Sequence, residues 1–161
     1  MYRSVLRISA LLAATLPLPS FAANTDLVIH DPYVRLAPPN APATGAFMVI
    51  TNSANTDRKL LKAESTAAKT VELHNHINDN GVMKMREVQS IDIKAHGQAE
   101  LKPGSYHIML IEMKQVLKEG DTVPITLSFD DGSKQQINAP VQKLQTTLPA
   151  DKPMEHGGMK H

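Results

Sequence analysis

The chain has 161 residues, with 17 Lys and Arg against 16 Asp and Glu for a formal net charge of +1, and no cysteine. That length fits one domain with a core of its own, and so small a net charge gives no electrostatic reason to expect nucleic acid or an acidic membrane as partner. Without cysteine the fold stands without disulfides, and any metal site is built without thiolates.

The first residues read as a secretory signal. Arg3 and Arg7 make a basic start, Ile8 to Leu18 is a short apolar run, and Ser20-Phe21-Ala22 offers small residues where a signal peptidase reads. The expected organisation is a signal peptide over 1–22, a β domain over 23–148 and a flexible His/Met-rich tail over 149–161. A buried N-terminal helix is the competing possibility, but Pro17 and Pro19 interrupt it. The run is too short to span a bilayer, and no later stretch is long enough, so no membrane span is expected after cleavage.

Downstream the pattern is one of strands. Leu27 to Ile29 and Tyr33 to Leu36 are short apolar runs split by Asp31-Pro32, and Ala46 to Thr51 follows the Pro-rich stretch Pro38 to Pro42. Thr70 to Ile77 and Val82 to Val88 flank Asn78-Asp79-Asn80-Gly81, a hairpin signal because Asn and Gly tolerate positive φ. Ile91 to Ile93 and Ala99 to Leu101 form a candidate second pair. Pro103-Gly104 turns the chain into Tyr106 to Ile111, Val123 to Phe129 alternates apolar with polar residues, and Asp131-Gly132 leads into Gln135 to Val141. Many short strands without a convincing amphipathic helix predict an all-β sandwich or small barrel.

Four residues on these strands carry chemistry: His74, Met85, His107 and Met109. Two imidazoles and two thioethers are a soft, uncharged ligand set, which suits Cu(I) among biological metals. A four-residue hairpin loop over Asn78 to Gly81 sets His74 opposite Met85, whereas a two-residue loop at Asn80-Gly81 pairs His76 with Met85. Either register keeps His74, His76, Met83 and Met85 on one face, since side chains alternate with period two. His107 and Met109 likewise share a face. His76 and Met83 are candidate auxiliary ligands. Met48 and Met113 read as packing, and His30 and His96 as surface or turn residues; Lys84 and Arg86 are expected to face away from Met85.

The runs Val71-Glu72-Leu73-His74, Asn80 to Arg86 and Leu101 to Leu110, with Asp31-Pro32-Tyr33-Val34-Arg35 and Pro38 to Pro42 upstream, resemble the periplasmic copper chaperone family PCuAC. Its pattern is His, ten residues, Met, twenty-one residues, then His-x-Met, and His74, Met85, His107 and Met109 fit it without a gap. Tyr33 stands where many members carry Trp. The resemblance covers roughly Leu27 to Ala139. It implies a cupredoxin-like Greek-key β-barrel or sandwich, a single Cu(I) site, a periplasmic location, and delivery of copper to an acceptor such as a cytochrome oxidase subunit or its assembly factor, towards the CuA centre.

Nothing in the chain resembles a nucleophile elbow, a phosphate loop or a positioned carboxylate pair, so a carrier is expected and not an enzyme. A blue-copper electron carrier needs a Cys thiolate, which is missing. A copper-sequestering protein without a dedicated acceptor is the remaining alternative. The tail adds Met154, His156, Met159 and His161, a candidate looser site that includes Cu(II), set against a plain solvated terminus.

Overall fold

A computed structural model describes residues 26–143, and among them every regular element is a strand. The expected signal peptide and the tail residues Met154, His156, Met159 and His161 lie outside the described residues. Ten strands follow in order: β1 Leu27–Arg35, β2 Ala43–Asn52, β3 Arg58–Glu64, β4 Ala68–Asp79, β5 Val82–Glu87, β6 Ile91–Ile93, β7 Gly97–Leu101, β8 His107–Met113, β9 Thr122–Phe129 and β10 Lys134–Gln142. Hydrogen bonding runs in the order β5-β4-β8-β2-β1-β10-β9-β3-β6, with β7 also paired to β2. The β1–β10 pair is parallel, Val34 opposite Val141, and joins the two halves of an all-β, cupredoxin-like Greek-key sandwich.

Alternation explains the core. In β9 Val123, Ile125, Leu127 and Phe129 are buried, and they face Leu60 and Ala63 of β3, Ile91 and Ile93 of β6, and Ile108 and Leu110 of β8 in one apolar cluster. The buried Asn52 is satisfied on every side. Its amide nitrogen donates to the carbonyls of Thr56, Ile93 and Lys94, and its oxygen accepts from the Ala54 N–H, which offsets the cost of placing an amide inside.

Three expectations are corrected. The two runs within Leu27 to Leu36 are not separate: Leu27–Arg35 is a single strand with a bulge, where Asp31 has φ 47° and the register shifts between His30 and Tyr33. The bulge absorbs the N–H that Pro32 lacks without ending the strand. The segments around Ile91 and Ala99 do not pair with each other: β6 pairs with β3 and β7 with β2. Strand β3 was not foreseen, since its polar positions Arg58, Lys59 and Lys62 hide the buried Leu60 and Ala63.

Candidate metal centre

The β4–β5 hairpin closes with the tighter of the two loops. Asp79 pairs with Val82 across Asn80-Gly81, whose φ values of 52° and 85° are both positive, as a type I′ turn requires. The four-residue loop that would oppose His74 to Met85 is therefore not formed. His76 faces Met85, Asn78 faces Met83, and His74 faces Glu87. The physical reason is twist: the I′ turn matches the right-handed twist of the flanking strands, while the wider loop would leave Asn78 and Asp79 unpaired.

On the other side of β4, His74 lies directly opposite His107, and Glu72 lies opposite Met109. Facing residues share a side of the sheet. One face of β5, β4 and β8 thus carries Met83 and Met85, then Glu72, His74 and His76, then His107 and Met109. It is the face turned away from the core, because the intervening Leu73, Ile108 and Leu110 are the buried cluster residues. Lys84 and Arg86 pair with Ile77 and Asn75, on the reverse face as expected, and Lys84 is held by Asp79 at 2.5 Å.

The three imidazoles converge. Ring centroids of His74 and His76 lie 5.7 and 5.2 Å from that of His107. Phe47, 6.1 Å from the His107 ring, and Tyr33, 5.2 Å from Phe47, wall the far side. Phe47 is buried although it is outside the main core cluster. Its ring folds over Gly45, where a Cβ would come within 2.8 Å of it, so glycine is needed there. His107 is 3% exposed, whereas Met85 and Met83 are 42% and 54% exposed. The cluster therefore runs from a buried end at His107 to an open end at the hairpin tip.

Hydrogen bonds select which ring nitrogens are free. His107 donates Nδ1–H to the Ser105 carbonyl at 3.0 Å; a carbonyl only accepts, so Nε2 keeps its lone pair. His74 donates Nε2–H to the Glu72 carboxylate at 2.7 Å, which leaves Nδ1 as the lone-pair nitrogen. That Nδ1, like the Nδ1 of His76, is buried without a hydrogen-bond partner. Burial of His107 holds its pKa below the usual imidazole value, opposed by the hydrogen bond to Ser105 and reinforced by the neighbouring His76 and His74. The ring stays neutral, the form that can bind a metal.

No three His, Cys, Asp or Glu side chains among the described residues are arranged to hold a metal ion by themselves; a site here depends on the thioethers. Their placement is uneven. Met85 faces His76 and Met109 faces Glu72, four residues apart on β4 and on its two flanks, about 13 Å along the strand. Both lie one diagonal step from His74. Sequence reasoning missed Glu72, Phe47 and Gly45 as parts of this centre, although Glu72, two residues before His74, was placed on its face by alternation alone. His30 bonds Thr51 at 3.1 Å and His96 bonds Asn55 at 2.7 Å in a turn with φ 51°, both as expected. Met48 is core and Met113 packs against it.

The profile described as putative lipoprotein LpqE-like matches residues 27–141. The chain belongs to the LpqE-like family. It is 35% identical over 100 residues to the putative lipoprotein Lxx21020 of Leifsonia xyli subsp. xyli, and 35% identical over 96 residues to the uncharacterized protein RP573 of Rickettsia prowazekii. These matches cover 62% and 59% of this chain and only 60% and 53% of those relatives. The solution structure of Cu(I)-bound DR1885 from Deinococcus radiodurans superimposes with a TM-score of 0.63 at 32% identity, over 76% of this chain and 82% of that one. The copper-bound PCuAC domain from PmoF2 gives a TM-score of 0.64 at 20% identity, over 76% and 97% of the two chains, a likeness of fold.

Proposed function

We propose that this LpqE-like protein is an exported, periplasmic carrier of Cu(I), bound by His74, Met85, His107 and Met109. The observation that carries this is the pair of imidazole nitrogens left outside the fixed hydrogen bonds, Nε2 of His107 and Nδ1 of His74, on a sheet face that also carries Met85 and Met109. The likeness to the Cu(I)-bound DR1885 structure supports it. Cu(I) is d¹⁰ and favours few, soft ligands; thioethers have no proton to lose, and a buried neutral His107 has none to displace. Copper is cargo here, and the residues do no bond-making on another substrate.

Neutral donors leave the complex cationic and exchangeable, which suits hand-off to an acceptor that offers thiolates. The acceptor proposed is a cytochrome oxidase subunit or its assembly factor, for the CuA centre. Anaerobic Cu(I) titration with X-ray absorption tests the site: a mixed nitrogen and sulfur shell is expected, and a sulfur-free shell refutes it. Gene deletion tests delivery. Loss of oxidase activity is expected, while loss of copper tolerance alone would point to sequestration. The tail residues Met154, His156, Met159 and His161 are proposed to gather Cu(II) or loose copper near the domain by raising its local concentration. Truncation after Pro149 is expected to lower Cu(II) stoichiometry and leave Cu(I) binding intact.

A further inference from the structure

Beyond the four proposed ligands, the same face continues outward. His76 follows His74 by two residues toward the hairpin tip, and Met83 precedes Met85 by two residues toward the same tip. In the register formed, His76 faces Met85 and Met83 faces Asn78. Two features of this outer group bear on metal binding. The Nδ1 of His76 is buried without a hydrogen-bond partner, although buried polar atoms are normally satisfied. Met83 and Met85 are exposed, so their thioethers are within reach of an ion in solution.

We propose that His76, Met83 and Met85 form an outer Cu(I) station at the hairpin tip, through which the ion enters and leaves the inner site, with Met85 common to both. The proposal rests on the Cu(I) reading above. Position supports it: Met85 faces His76 and is one diagonal step from His74, and the His76 ring is 5.2 Å from that of His107, nearer than the His74 ring at 5.7 Å. The His76 ring therefore adjoins the inner His107 ring, and an ion can pass between neighbouring donors. Each step exchanges one neutral donor for another. A new Cu–N or Cu–S bond forms as an old one breaks, copper stays Cu(I), and the thioethers have no proton to lose. The exposure gradient from Met83 at 54% to His107 at 3% gives the path its direction, from the open surface to the buried ring.

A station on the path changes loading and release alike and leaves their ratio, the affinity, unchanged. The test uses the full chain loaded with one equivalent of Cu(I) without oxygen, mixed with bicinchoninate as competing Cu(I) chelator in stopped flow. For the double variant His76→Ala, Met83→Leu, transfer is expected to slow by about tenfold or more, while equilibrium affinity stays within about threefold. Met83→Leu alone, at an exposed position that does not threaten folding, is expected to slow transfer in the same direction. Unchanged transfer in both variants overturns the station, as does a loss of affinity of about a hundredfold, which would place His76 or Met83 in the inner set. Failure of the unaltered protein to take up Cu(I) would instead remove the reading on which the station rests.

Discussion

The two halves of the sandwich use one alternating pattern for opposite ends. In β9, the inward residues Val123, Ile125, Leu127 and Phe129 make core, and the outward ones, Thr122, Pro124, Thr126 and Ser128, offer no soft metal donor. In β4 and β8 the inward residues Leu73, Ile108 and Leu110 do the same work, but the outward positions hold three imidazoles and a thioether. The strand period decides which residues share a face, and it is indifferent to what that face does. Stability is concentrated on one side of β4 and β8 and chemistry on the other, so the two can be altered separately.

The sharpest separation comes from the core side. Leu127→Ala, at a fully buried position, is expected to cost about 2–5 kcal/mol of stability, read by urea unfolding of the metal-free protein. Cu(I) affinity of the folded fraction should not change. A parallel loss of affinity would mean that the halves are coupled.

The converse change is Met109→Leu. It conserves volume on the outer face, so stability is expected to fall by less than about 1.5 kcal/mol, while competition with a Cu(I) chelator should record a sharp loss of affinity. If the metal-free protein unfolds and the survivors bind copper normally, Met109 is packing.

A smaller effect is expected at Glu72, whose carboxylate holds His74 Nε2–H at 2.7 Å. Glu72→Gln should weaken Cu(I) binding by about 10–100-fold, the usual weight of a residue that orients a metal-binding histidine. Nitrogen NMR of the His74 ring is the accompanying measurement. In the unaltered protein Nδ1 should be the unprotonated nitrogen that shifts on adding Cu(I), and in the variant the two tautomers should mix.

The mildest effect is on pH dependence. His107 has its pKa lowered by burial, so the unfolded chain binds a proton there more readily than the folded one does. Stability of the metal-free protein should therefore fall as pH drops through the unfolded value of about 6.5, and the loss is complete below the lowered folded value. Thermal melts between neutral and mildly acidic pH, compared with His107→Gln, should show a shallower decline in the variant. Identical slopes would remove His107 as the cause.

Much of this arrangement was written in the chain. Period two placed His74 with His76, Met83 with Met85 and His107 with Met109, whatever the strand order. Asn80-Gly81 marks the hairpin, and the missing cysteine by itself excludes thiolate chemistry. These are local properties, set by side-chain alternation, turn conformation and the identity of donor atoms.

Tertiary structure decided what depends on partners distant along the chain. The I′ turn chose between two registers that the sequence left open, and so put His76 rather than His74 across from Met85. Pairing of β4 with β8 brought His107 beside His74, and β2 brought Phe47 over Gly45 to close the far side. Pairing also sent β6 and β7 to different neighbours. Strand pairing is a contest among many edges of similar local pattern, and it is settled by which combination buries the most apolar surface with every backbone group bonded. No stretch of the chain carries that comparison by itself.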